Sequence, residues 1–141
     1  MTRIEFHFNV DDPLLHACRL ARKVTRQGLS CVFTGTEARL RDLDTRLWTF
    51  SALDFLPHGW AGASVGPSLI TLATEPAQAH RPEAVLVNTG EAVPEGFDQW
   101  DRLIEIVGPE PAARTAARER WRHYTRLGYA IGQHDLAKEG P

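Results

Sequence analysis

Apolar and polar residues alternate through Ile4-Glu5-Phe6-His7-Phe8-Asn9, a period of two that predicts a strand with one apolar face. Asp11-Asp12-Pro13 follows, an Asp cap with Pro in the first turn, and opens a helix. In that helix Leu14, Leu15, Cys18, Leu20, Ala21 and Val24 keep helical spacing, while Arg19, Arg22, Lys23 and Arg26 face outward. Gln27-Gly28 stops it. LSCVFTG reads as a short buried strand, and Thr36 to Leu47 as a second helix with Thr36 and Arg39 near a cap. From Trp48 to Pro67 the period is lost, and the stretch reads as a long loop rich in aromatics, Gly and Pro. Strands are predicted again at SLITLA, AVLVNTG and RLIEIVG, with VPEGFDQWD long enough only for a short helix. SLITLA and AVLVNT are apolar throughout, as in strands covered on both faces. Pro109 and Pro111 lead into a last long helix, and the terminal LAKEGP, positions 136–141, reads as a frayed tail. The alternation predicts a single α/β domain over residues 1–141, a Rossmann-like three-layer fold with a mostly parallel sheet of about five strands.

Charge changes this picture at one place. Glu110 to Gly128 holds five arginines against two glutamates, a net of +3, while the whole chain carries −2. A basic helix therefore sits on an otherwise acidic molecule, which predicts an acidic partner for it. Arg114, Arg118, Arg122 and Arg126 stand at steps of four and form one slowly winding stripe. Beside them fall Ala113, Ala117, Trp121, Tyr124 and Gly128, able to face a core or line a groove. Two readings stay open: a solvated face, with Glu119 pairing Arg122 or His123, or a carboxylate-capturing surface of arginine beside aromatic rings. The second constellation is Trp48 with Phe55-Leu56-Pro57-His58-Gly59. Its aromatics either fold into the sheet edge or anchor a docking surface, with His58 orienting the loop.

With 43% hydrophobic and 24% charged residues the composition is that of an ordinary globular protein. MTRIEFHFN carries no signal-peptide hydrophobic region, no run approaches a membrane span, and Cys18 and Cys31 read as buried free thiols. A cytoplasmic location is expected. A Rossmann-like sheet raises nucleotide binding first, yet the turn after the first strand is NVDDP, where two Asp would repel phosphate. The second turn, TGTEA, offers only an ordinary capped helix start. The chain has no phosphate-binding loop and no nucleophile elbow. Histidines 7, 16, 58, 80, 123 and 134 show no metal-ligand pairing in their spacing, so neither a metal, a cofactor nor a catalytic constellation is expected.

DFLPHGWAG, then VLVN, then EIV followed by the ARERWRHYTRLGY helix resemble the chi subunit family of the bacterial DNA polymerase III clamp-loader assembly. The similarity runs from the first strand to about Gly128, and its specific parts are the F-hydrophobic-P-H loop and the R-x-R-aromatic-basic-x-Y-x-x-x-G helix. The resemblance implies a non-catalytic adaptor bridging the polymerase assembly to the acidic, phenylalanine-ended C-terminal tail of single-stranded DNA-binding protein. It places the tail site on Val107, Arg114, Arg118, Trp121 and Arg122, with Tyr124 nearby. Arg114 and Arg122 stand where lysine is familiar, Trp121 where tyrosine is, and Thr125 where a further basic residue can occur. Docking of the psi subunit falls on Trp48, Phe55, Pro57 and His58, a surface that could also serve another replication or repair partner such as a helicase. The implied location is the bacterial cytoplasm, at the nucleoid through the replication machinery, with DNA reached only indirectly and no membrane. The competing readings are direct single-stranded nucleic-acid binding by the basic helix and a nucleotide-dependent enzyme. The net charge of −2 disfavours the first and the NVDDP turn the second.

Overall fold

The apolar alternation of β1 (Arg3–Phe8) sets the layers, because Ile4 and Phe6 pack into the core on one side of the sheet while His7 meets His16 of the first helix on the other. The computed structural model describes residues 1–50, 56–62, 69–81 and 83–137. After β1 come α1 (Pro13–Arg26), β2 (Cys31–Thr34), α2 (Glu37–Thr49), β3 (His58–Trp60), β4 (Ile70–Leu72), β5 (Val85–Asn88), β6 (Arg102–Ile106), α3 (Pro111–Arg126) and β7 (Ile131–Asp135). They build one sheet in the order β3-β4-β2-β5-β6-β1-β7, with every neighbouring pair parallel. A parallel sheet needs helical crossovers that cover both its faces. From β1 the chain crosses to β2 on one side of the sheet, and from β6 it crosses over β1 to β7 on the other. Right-handed crossovers running in opposite directions put their helices on opposite faces. Accordingly α1 and α2 pack on Phe33, Leu72, Val85, Val87, Ile104 and Ile106, and α3 packs on Ile4, Phe6, Leu86 and Leu103.

The predicted caps form. Asp12 accepts from the Leu15 amide at 3.2 Å and Thr36 from the Arg39 amide at 3.2 Å. Gly128, at φ 90°, closes α3, with the Tyr129 amide donating to the Tyr124 carbonyl at 3.1 Å, a turn that feeds the chain into β7. The α/β class and the parallel sheet are as read from the sequence, with two strands more than expected. β3 lies inside the stretch read as irregular, and α2 runs on to Thr49, so Trp48 belongs to the helix. Three residues, His58-Gly59-Trp60, are too few to display a period. β7, Ile-Gly-Gln-His-Asp, is a half-polar edge strand without apolar alternation. It exists because the α3 crossover delivers it beside β1, where Ile4 to Phe8 pair with Ile131 to Asp135. Of the tail, Leu136 is tied to Phe8 by its amide at 3.0 Å, and residues 138–141 lie outside the described ones.

Candidate functional site

The cleft begins from the C-terminal ends of β1 and β6. Val107 follows β6, and its amide donates to the His7 carbonyl at 2.8 Å while its carbonyl accepts from Val10 at 3.1 Å, so its side chain is fixed by the backbone ladder. Phe6 and Phe8 lie on the same face of β1, as a period of two requires. α3 crosses that face with Ala117 buried against it and Trp121 half-buried, its indole edge-on to Phe6 at 5.2 Å and 60°. With Asn9, Gln133 of β7 and the arginines 114, 118 and 122, these residues enclose about 490 Å³. The floor is apolar and the rim cationic, as capture of an aromatic group beside a carboxylate requires.

The three rim arginines are not equivalent. Arg114 donates through Nη2 to Asn9 Oδ1 at 3.1 Å, and Asn9 in turn donates to Asp135 Oδ1 at 2.9 Å. Asn9 stands at φ 56°, a left-handed conformation that asparagine tolerates and that aims its side chain between β7 and α3. Arg122 Nη1 meets Glu119 Oε1 at 2.6 Å across an exposed helix step, one of the two pairings open for Glu119. Arg118 makes no side-chain hydrogen bond or ion pair among the described residues. Its guanidinium is therefore the rim cation with all donors available.

Tyr124 is placed otherwise. It is fully buried beneath the helix, between Phe6 and Phe97, and its hydroxyl donates to Glu105 Oε2 at 2.6 Å. Although a step of three from Trp121 leaves it only about 60° around the axis, its side chain is fully buried and does not line the cleft. The fifth arginine of the helix, Arg120, is buried too: its Nε donates to Glu105 Oε1 at 3.0 Å and its Nη1 to the Glu91 carbonyl at 2.8 Å. Asn88 Nδ2 completes the set, at 3.0 and 3.2 Å from the two Glu105 oxygens. Burial pushes the Glu105 carboxyl up from its ordinary range, against the pull of Arg120 and the donors from Tyr124 and Asn88. In the sequence Arg120 is one of five arginines in the basic helix and Glu105 one residue of a strand, with nothing in the charge count to pair them. An acid inside the otherwise apolar LIEIV run is the signal that could have found both.

At the other edge of the sheet Trp48 is exposed and its ring lies tilted at 4.2 Å from His58. The His58 imidazole joins Leu56 O at 2.8 Å and Asp44 Oδ1 at 2.6 Å, and so holds the start of β3 against α2. Pro57 is exposed beside them, while Phe55 lies outside the described residues. Three of the histidines, scattered in the sequence, are gathered in space: His7, His16 and His134 meet beside Glu5 on the α1 side of β1. Burial, then the neighbouring His16 and His134, lower the His7 imidazole to about 4, so its ring is neutral at pH 7. No helix among the described residues is long and apolar enough to cross a membrane.

Fold and cleft together define a parallel α/β domain with a cationic, aromatic-floored groove at its strand ends and an acidic first turn in place of a dinucleotide fingerprint. The family model described as DNA polymerase III chi subunit, HolC, matches residues 1–132, and the chain belongs to that family of replication accessory subunits. It is 36% identical over 143 residues to the DNA polymerase III subunit chi of Pseudomonas aeruginosa, covering 98% of this chain and 99% of the relative. It is 25% identical over 122 residues to the subunit of the same name from Haemophilus influenzae, covering 85% of each.

Proposed function

We propose that this chain is a non-catalytic adaptor whose α3 cleft captures the acidic, phenylalanine-ended tail of single-stranded DNA-binding protein, while Trp48, Pro57 and His58, with Phe55, dock the psi subunit of the clamp loader. The observation that carries the reading is the union, in about 490 Å³, of an apolar floor at Phe6, Phe8, Val107 and Trp121 with a rim of three arginines. A terminal phenylalanine enters over the floor, and its carboxylate is met by Arg118, whose donors are available among the described residues. Arg114 and Arg122 take the acidic side chains upstream, exchanging the contacts they make with Asn9 and Glu119. Tyr124 supports the helix from below and does not contact the tail. Membership in a polymerase accessory family agrees with an adaptor role.

Trp121 lines the cleft and reports on it by fluorescence. Titration with an acidic phenylalanine-ended peptide is expected to saturate at one equivalent, whereas a single-stranded oligonucleotide of equal charge binds far more weakly. Tighter binding of the oligonucleotide would favour direct nucleic-acid recognition instead.

A further inference from the structure

We propose that Glu5, His7 and His134 form a binding site for one borderline divalent cation of the zinc class, on the face of β1 and β7 opposite the cleft. Glu5 and His7 are two residues apart on β1 and share a face, and His134 is the cross-strand partner of His7 in the β1–β7 register. Glu5 Oε2 lies 3.8 Å from His7 Nε2 and 3.2 Å from His134 Nε2, and all three ligand atoms fall within 4.8 Å of one another. Ligands at about 2.0–2.2 Å from a tetrahedral zinc are roughly 3.4 Å apart, so small side-chain rotations bring these three onto one ion. The 3.8 Å separation is too long for a hydrogen bond and close to that ligand spacing.

The surroundings hold these atoms in place. His7 Nδ1 shares a hydrogen bond with His16 Nε2 of α1 at 2.8 Å, which turns its Nε2 toward Glu5 and His134. Metal-binding histidines are oriented in this way by a partner on their other nitrogen. Arg102 Nε grips Glu5 Oε1 at 2.8 Å, which leaves Oε2 to face the two rings, with Arg102 Nη2 at 3.3 Å from it. Gly132 stands opposite Glu5 in the register, and its missing side chain keeps the carboxylate uncovered. His134 is part-exposed, giving the ion a path from solvent and leaving its fourth position to water. Two imidazoles and one carboxylate suit zinc, cobalt(II) or nickel(II) rather than magnesium or calcium. The bound ion would clip the last strand, β7, to β1.

The test uses the full chain without a histidine tag, stripped by chelator and titrated with cobalt(II) and zinc(II), with magnesium as control. One equivalent of cobalt is expected to bind with visible d–d absorption, without a thiolate charge-transfer band, to be displaced by zinc and to raise the melting temperature. His134→Ala should abolish binding, and His16→Ala, which spares all three ligand atoms, should weaken it by about 10- to 100-fold. His134 lies on an exposed edge, so its variant is expected to fold, as circular dichroism can verify. Failure of the wild-type chain to take up cobalt, or unchanged affinity in folded His134→Ala, would overturn the site. So would a thiolate band, which would place the ion on a cysteine.

Discussion

The upper and lower sides of α3 use the same residue type for opposite ends. Arg118 sits on the cleft rim with its donors available among the described residues, whereas Arg120, two residues on, is 3% exposed and bound to a fully buried glutamate. A helical step of two turns the side chain about 200°, from water to core. The lower arginine is needed because Glu105 is already inside, between the sheet and α3. With Arg120, Tyr124 and Asn88 around it the carboxylate is fully hydrogen-bonded, and no buried side-chain polar atom among the described residues lacks a partner. The upper arginines gain little for stability, since exposed pairs such as Arg122–Glu119 contribute ~0–1 kcal/mol. What they provide is a charge that another molecule can use.

Removing the lower side has the largest expected effect. Arg120→Ala leaves Glu105 buried without its cation and should cost about 3–5 kcal/mol in chemical denaturation, the usual cost of breaking a buried pair from one side. A loss below ~1 kcal/mol would mean that Glu105 is not held as the structure has it. Arg118→Ala reads the upper side. Peptide affinity should fall about ten- to a hundredfold, the loss of a hydrogen bond to a charged group, while stability changes by less than ~0.5 kcal/mol. A large melting shift without loss of affinity would reverse the assignment of the two sides.

Tyr124→Phe sharpens the comparison, since sequence reasoning placed this residue with the cleft. Among the described residues its hydroxyl bonds only Glu105, so stability should drop by about 1–2 kcal/mol with peptide affinity unchanged. Weaker binding by a fully folded variant would return Tyr124 to the site. The smallest effect is expected at the cysteines. Both thiols are buried, and burial raises Cys18 to about 11 and Cys31 to about 12, so at pH 8 neither is ionised in the folded chain. A thiol reagent should label both only after unfolding, and rapid labelling of the native chain would contradict their burial.

What the sequence disclosed follows from pattern strength. Ile4-Phe6-Phe8, the apolar runs around Val32 and Leu86, and the capped helices each carry a local signal, and these place the α/β class, the sheet and α3. His58-Gly59-Trp60 and Ile131 to Asp135 are strands only because neighbours supply hydrogen bonds, which no local period records. The same limit governs the cleft. Val107, Arg114, Arg118, Trp121 and Arg122 were legible by resemblance and are brought together. Phe6 and Phe8 looked like plain core, and Asn9 and Gln133 looked like nothing, because their roles arise where β1, β7 and α3 meet. The burial of Arg120 is not legible in the sequence, since helical charge counting cannot see which strand lies beneath.

The central claim is that the rim binds a terminal carboxylate whose own ring fills the floor. It is tested most directly by titrating the acidic phenylalanine-ended peptide in two forms, free acid and C-terminal amide, at one salt concentration. The amide keeps every upstream charge and the ring, and removes only the group assigned to Arg118. The account predicts that most of the affinity disappears, about a ten- to hundredfold rise in Kd. Equal affinity of the two forms would contradict it and leave the arginines as a general contact for acidic surfaces.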